Sequence, residues 1–535
     1  MIVDLLSMED TRASLVGAGL FVLLTWALRY ILSPGSKLPI INKHSVFGFG
    51  QPSKKGWVSG AASLLKDGFA KSAKGFRLVT DNGCQIVVSP KYLEEIRQHP
   101  DLSRDKASAK ELMSHLPGFE VFREGSKDER ILHDAVLTKL TRTLGRVTEH
   151  LSHETALSFE THWTDEREWH AVPLRSSITQ IIAQTSSRVF LGEKLCRDPE
   201  WLHITINYAV HVITATEQLR QWPHSLRYIV HWFLPTCRRL RQDMREALAL
   251  ILPVLKERQE EKAAARAAGK TPTSYSDAID WMEDTAKGRA YNPAISQLLL
   301  SMAAIHTSAD MLTQVLFDIA ERPDLVAALR EEIMTVVRDN GWSKISLYKL
   351  VLMDSTIKES QRLKPIAISI VTTFSRLNEK KLTWKLAPMR RLATKDVSLS
   401  DGMFIPKNTT VLFPADAMWD PDYYDHPQEF DPYRYMRMRE SPDRQTQTAA
   451  QLVSPSPNHL GWGFGQHACP GRFFAANELK IALCQLLLKY DFKLDQERLP
   501  EVRCHGASRT ADPVAKLVIR RREDNAAVQD LPCMV

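Results

Sequence analysis

The stretch HLGWGFGQHACPGRFFAANELKIALCQLLLKYDFKL, His459 to Leu494, decides how the rest of the chain is read. It is a glycine-rich loop that delivers one cysteine, Cys469, to the start of an apolar-periodic helix. A thiolate placed there is stabilised by the positive end of the helix dipole and by backbone N–H groups that Gly463, Gly465 and Gly471 allow to come close. A cysteine taken alone is more often an inert buried thiol, and the loop around it shifts that balance toward a soft metal ligand. Zinc is disfavoured because His467 and Cys469 have no second ligand pair at structural-site spacing. One thiolate with an open opposite face is the arrangement of a haem iron. Gly463 to Ala468 also fits the dinucleotide fingerprint G-x-G-x-x-A, but SPSPNHLGW is no strand and no βαβ unit surrounds it, so that match is a decoy.

Working outward, Asn292 and Pro293 form an N-cap and first-turn pair and Pro323 ends the pattern, which predicts one long helix from Pro293 to about Arg322. Its middle reads SMAAIHTSAD. Other long amphipathic stretches recur near 130–160, 200–220, 235–266 and 473–488. Short β-prone pieces lie at CQIVVSP, near Val397, at FIPKNTTVLF and at VAKLVIRRR. The expected fold class is mainly α with small β-sheets. The polar, turn-rich segment Ser441 to Asn458 reads as a surface loop.

The run W-G-F-G-Q-H-A-C-P-G-R resembles the haem-binding signature of the cytochrome P-450 superfamily, with Cys469 as the proximal thiolate. Further strings agree in order and spacing. STIKESQRLKP holds Glu359 and Arg362, and FDPYRY supplies Arg434; together they resemble the family's buried Glu-Arg-Arg charge cluster. Taken alone, Glu359 and Arg362 would be an ordinary i, i+3 surface pair. Arg391, in MRRLATKDV, matches the family's haem-propionate arginine, and His467 a second propionate position. The resemblance implies the cytochrome P-450 fold and haem b (iron protoporphyrin IX), with Ala303 and Ala304 leaving room for dioxygen and the Thr307 hydroxyl ordering the water that supplies protons. His306 stands where the family more often has an acid; a proton relay and a satisfied core histidine are both open for it, as a back-bonded helix hydroxyl is for Thr307. Trp462 replaces the usual Phe and keeps an aromatic plate beside the thiolate. The family's Trp-x-x-x-Arg becomes His133 and Leu137, so that haem anchoring leans on Arg391 and His467. After Pro365 the chain interposes Ser369 to Leu386, where the family passes directly to the strand begun by APMRR.

The similarity is closest to fungal membrane-bound members that oxidise terpenoids and related secondary metabolites. It implies a monooxygenase that places one atom of O2 in a bulky hydrophobic substrate, with electrons from an NADPH-cytochrome P-450 reductase and cytochrome b5 as a second candidate donor. NADPH is then used indirectly, with Lys139, Arg142, Arg146, Arg437 and Arg439 as candidates for a docking face toward an acidic flavin domain, or as an ordinary solvated charged surface; substrate contacts are expected from Met113, Leu116, Phe119 and Phe122, from Met302 to Ile305, from Ile366 to Ile368 and from the turn near Ser508 to Ala511. Two alternatives stand beside this reading: a haem-thiolate isomerase or dehydratase, and a haem-binding membrane protein without chemistry. Retained Thr307 argues against the isomerase.

The remaining expectations concern placement. Ala13 to Leu32 reads ASLVGAGLFVLLTWALRYIL, a run that at about 1.5 Å per residue spans roughly one hydrocarbon thickness. Asp4, Glu9 and Asp10 precede the basic residues Arg29, Lys37, Lys43, Lys54 and Lys55, so the positive-inside rule leaves the body cytoplasmic, and a single-pass anchor in the endoplasmic reticulum membrane is expected; a cleavable signal peptide is the alternative, disfavoured because its basic region should come first and the start here is acidic. The organisation expected is an N-terminal transmembrane anchor over 1–32, a proline-containing hinge over 33–60 and a haem-thiolate catalytic domain over 61–535, with a candidate insert at 369–386. Of 535 residues, 44% are hydrophobic and 25% charged, which excludes a disordered or low-complexity chain. Lys and Arg total 70 against 63 Asp and Glu, an excess of +7 without a basic block, so nucleic acid is a poor partner. Seven cysteines, an odd count without C-x-x-C spacing, argue against a disulfide framework and for a reducing compartment.

Overall fold

The side chain of Asn292 accepts the Ile295 N–H at 3.0 Å, and Pro293 occupies the first turn, where its missing N–H costs nothing. The helix they start runs Pro293–Ala320 and is buried along nearly its whole length, as the central strut of the molecule must be. The computed structural model describes residues 38–42, 52–365, 389–495, 500, 503–505 and 508–523. Besides a helix kinked at Gly60, Pro52–Lys71, its long helices are α1 (Thr141–Trp163), α2 (Leu174–Leu191), α3 (Pro199–Arg220), α4 (Pro235–Ala267), α5 (Pro293–Ala320), α6 (Pro323–Asn340), α7 (Val351–Leu363) and α8 (Arg472–Lys489). α5 packs against α2, α3, α4, α7 and α8, and their apolar faces make one large core.

The sequence pattern finds five of these eight helices and misses α2, α6 and α7; of these, α2 is rich in Ser, Thr and Gln yet buried on nearly every side. Its polar groups are satisfied inside: Trp163 Nε1 donates to Ser177 Oγ at 3.0 Å, Gln184 Nε2 to Glu154 at 2.6 Å, and Ser186 Oγ to Glu478 at 2.5 Å. Mutual hydrogen bonding removes the amphipathic stripe by which a half-buried helix is ordinarily seen.

A six-stranded mixed sheet orders Ile40–Ile41, Gly75–Thr80, Gly83–Val88, Thr410–Phe413, Met389–Ala393 and Leu102–Ser103. Its register matters for the site. Leu102 pairs with Ala393 and Ser103 with Leu392, so Arg104, the next residue, arrives beside Arg391. Smaller sheets join Tyr490–Leu494 to Lys516–Arg521 and His170–Pro173, Arg503–His505 to Ser508–Thr510, and Val397–Ser398 to Phe404–Ile405.

The segment Ser441 to Asn458 needs correction. It holds a short helix, Arg444–Ala449, and then turns inward, with Ala450 and Leu452 fully buried. Buried polar groups draw it in: Asp354 accepts the Leu452 N–H at 2.8 Å, and Lys358 Nζ donates to the carbonyls of Gln451 and Ser454 at 2.7 and 3.0 Å. Local composition cannot report partners contributed by a distant helix. Among the described residues no helix is long and apolar enough to cross a membrane. The candidate anchor, half of the candidate hinge and the candidate insert at 369–386 lie outside the described residues.

Candidate active site

The cysteine loop is shaped by two residues in left-handed conformation, Gly463 (φ 70°) and Gly465 (φ 74°). A side chain at Gly465 would also meet the Arg97 carbonyl, 2.5 Å from the place of its Cβ, so both backbone and packing demand glycine there. Gly471 has φ −85° and caps α8; its carbonyl accepts the Ala475 N–H at 2.9 Å. The loop is closed by Gly463 N–H donating to Leu460 O and Cys469 N–H to Trp462 O, both at 2.8 Å. Trp462 Nε1 donates to Leu452 O at 2.7 Å, and Arg472 donates to Val453 O at 3.0 Å and to Cys469 O at 2.8 Å. The loop is thereby tied to the buried segment that Asp354 and Lys358 hold.

Burial pushes the Cys469 thiol up, while the Arg104 charge and the N–H groups of Gly471 and Arg472 pull it down. Burial outweighs them, so the thiol stays above its ordinary value until a bound cation neutralises the sulfur.

Beside it stands a surplus of positive charge. Arg391 is buried, its guanidinium donating to Arg390 O at 2.8 Å and to Phe464 O at 3.4 Å, and its Nε is buried without a partner. Burial, then the neighbouring Arg104 charge, pulls Arg391 down to about 10. His467 Nδ1 is likewise buried without a partner, and burial followed by the Arg391 charge pulls the ring down to about 4. Arg104 donates to His467 O at 3.1 Å and pairs with Asp105 at 3.0 Å. An orphaned guanidinium N–H of Arg391 and an orphaned imidazole nitrogen of His467, next to a single cysteine at a glycine loop, fit the two carboxylates and the iron of haem. Arg391, His467 and Cys469 are the residues that would hold it. Sequence reasoning missed Arg104, whose only signal was a strand too short to register.

On α5, Ala303 is exposed and Ala304, His306 and Thr307 are half-exposed, whereas Met302, Ile305 and everything from Ser308 to Ile319 are buried. A stripe of the central helix therefore borders an opening, as the small-residue reading of Ala303 and Ala304 requires. Thr307 Oγ1 donates back to Ala303 O at 2.8 Å. Its own proton is committed, and its lone pairs are left to accept from a water.

His306 Nε2 bonds the carbonyl of Ile206, on α3, at 2.8 Å, which makes Nε2 the protonated nitrogen. Burial pushes its pKa down, so the ring is neutral near pH 7. This geometry is that of a brace between α5 and α3. Gln places an amide N–H where His carries Nε2–H, so His306→Gln is expected to match the parent in coupling of NADPH oxidation to product and in its pH dependence. His306→Ala is expected to lower thermal stability by about 1 kcal/mol. A changed pH dependence of coupling in His306→Gln would instead show a relay.

The charge cluster closes the other flank. Arg362 Nε and Nη2 each donate to Glu359 at 2.8 Å, and Arg434 Nε donates to Glu359 at 3.1 Å, with both Glu359 and Arg362 at 0% exposure. Arg362 Nη1 reaches the carbonyls of Met418 and Pro427 at 2.7 Å, knitting α7 to the chain that leads toward the cysteine loop.

The model of the cytochrome P-450 family matches residues 78–376 and 385–514, and its interruption falls inside Ser369 to Leu386. The cytochrome P-450 monooxygenase adrA of Penicillium rubens is 44% identical over 519 residues, covering 96% of each chain. Cytochrome P-450 monooxygenase 1 of Gibberella fujikuroi is 46% identical over 457 residues, 85% of this chain and 99% of that one. The cytochrome P-450 monooxygenase ptmU of Penicillium ochrochloron is 42% identical over 526 residues, 97% of this chain and 99% of its own. The fold agrees with the crystal structure of a cytochrome P450DA haem domain at a TM-score of 0.65 and 16% identity, over 91% of this chain and 97% of that one. On this match of family model, relatives and fold, the chain belongs to the cytochrome P-450 family and is a monooxygenase of it.

Proposed function

We propose that this monooxygenase oxidises a bulky hydrophobic substrate, a terpenoid or related secondary-metabolite intermediate, with electrons from a membrane-bound NADPH-cytochrome P-450 reductase and cytochrome b5 as a secondary donor. The observation that carries the substrate class is the apolar character of the segments expected to line the site: Met113, Leu116, Phe119 and Phe122 are all buried, and Met302 precedes the opening at Ala303. Such walls recognise a ligand by shape and by removal of apolar area from water. The expected contacts at 366–368 lie outside the described residues.

Haem, when bound, supplies the activation of O2. The chain's own part is to exclude bulk water and deliver protons in order. Thr307 Oγ1 accepts from a water and holds it against the opening, its hydroxyl orientation fixed by Ala303 O. Thr307→Ala is expected to leave NADPH and O2 consumption within a few-fold of the parent while product falls about tenfold or more and hydrogen peroxide rises. Unchanged coupling would remove Thr307 from the mechanism. Feeding terpenoid intermediates to microsomes that carry the protein and reductase tests the substrate class; no NADPH-dependent product and no spectral response to any of them would contradict it.

Docking of an acidic flavin domain is supported by Arg142 and Arg146, which stand exposed on α1. Lys139 pairs with Asp284 at 3.0 Å and Arg437 with Asp431. Arg439, expected on the same face, is turned inward to buried Asp354 and does not belong to it. The run from Ala13 to Leu32 supports a single anchor in the endoplasmic reticulum membrane with the catalytic domain cytoplasmic. Removal of Met1 to Leu32 is expected to shift the protein from the membrane pellet to the supernatant with the haem spectrum unchanged; a truncated protein that stays in the pellet contradicts the anchor.

A further inference from the structure

Leu137 stands where the family resemblance calls for a propionate-binding arginine, and it is 40% exposed, with nothing to offer a carboxylate. His133, at the aromatic position four residues earlier, turns its Nδ1 to Asp134 at 3.1 Å. The place on this helix is vacated, yet the neighbourhood is not short of cations. Arg104 and Arg391 stand beside the neutral ring of His467, and the charge of Arg130 is felt at His467, His133 and Asp105. The acid among them, Asp105, already pairs with Arg104. Arg104 uses its other side on His467 O.

Arg130 is different. It is half-buried, sits at the N-cap of the turn Ile131–Asp134 with φ 48°, and its Nε is buried with no acceptor. Three buried donors, Arg130 Nε, Arg391 Nε and His467 Nδ1, therefore lack acceptors within one electropositive cluster beside Cys469. Native proteins rarely leave such groups unmatched.

We propose that Arg130 takes over the role lost at Leu137 and binds one of the two propionates of haem, forming with Arg391 and His467 a relocated carboxylate clamp. The proposal rests on the haem reading of the site. It explains how the chain dispenses with an arginine at 137: the cation has moved seven residues toward the N-terminus, from the helix to the turn that begins it. A guanidinium there offers a planar pair of donors to a carboxylate, which a lysine matches only as a point charge.

The test is the rate at which haem leaves purified, haem-loaded full-length protein for excess apomyoglobin, a readout independent of turnover. Arg130→Met is expected to release haem at least about tenfold faster, the loss of one charge-assisted hydrogen bond, with the red-shifted Soret band of the reduced carbon monoxide complex unmoved. Arg130→Lys should fall between, and adding Leu137→Arg to Arg130→Met should restore retention to within a few-fold of the parent. Release within twofold of the parent in Arg130→Met, while Arg391→Met accelerates it, would overturn the proposal. Should Arg130→Met fail to accumulate, the double variant decides: haem-loaded protein supports the relocation, and its absence contradicts it. A parent that takes up no haem overturns the haem reading itself, whereas a haem-loaded parent insensitive to Arg130 overturns this inference alone.

Discussion

Glu359→Gln and Arg362→Ala are each expected to leave almost no haem-loaded, folded protein. Breaking a buried ion pair by removing one partner leaves the other charge desolvated and costs about 3 to 5 kcal/mol. A whole domain is stable by only about 5 to 15 kcal/mol, so that loss consumes about a fifth of the margin or more. The geometry raises the cost here, because Arg362 also satisfies the carbonyls of Met418 and Pro427 and Glu359 accepts the Asp431 N–H at 3.2 Å. Replacing both partners together by Leu and Met is therefore not expected to rescue folding, as it can for an isolated pair, since several backbone groups would still be stranded. Haem content per purified chain and the thermal unfolding midpoint check the result. Normal haem yield in either single variant would mean that the cluster carries little of the fold's stability.

What could be read in the sequence divides along a physical line. The cysteine loop was legible because its chemistry dictates residue types at fixed spacing: glycine where φ is positive, cysteine at a helix start, proline and glycine behind it. α5 was legible because its signals are local, an Asn-Pro start and a proline stop. Long-range partnership was not legible. α2 hides because its polar side chains find buried partners on α1, α3 and α8, so hydrophobic periodicity disappears. Ser441 to Asn458 looked solvated because nothing in its composition announces Asp354 and Lys358, which reach it from α7.

The same division runs through the site. Glu359, Arg362 and Arg391 could be named from motifs, but their value lies in distances that only the fold supplies. Arg104 and Arg130 could not be named, since one follows a two-residue strand and the other precedes a single helical turn. Arg439 shows the converse error, a basic residue assigned to a docking face by composition and found bound to an acid inside. For His306 the sequence left two roles open, and the 2.8 Å bond to Ile206 O favours the brace.

The second large effect concerns Cys469, through which every functional statement passes. The loop presents a single sulfur at the start of α8, held by the Cys469 N–H bond to Trp462 O and by Arg472 on its carbonyl. Cys469→Ala removes the sulfur and leaves these backbone bonds intact, so the loop should persist and whatever haem stays bound should lose only its thiolate. Only an anionic sulfur opposite carbon monoxide shifts the Soret band strongly to the red. The most direct measurement is the reduced carbon monoxide difference spectrum of the parent and of Cys469→Ala, side by side. The account predicts the red-shifted band in the parent and its complete loss in the variant; the same band in both proteins, or in neither, would contradict it.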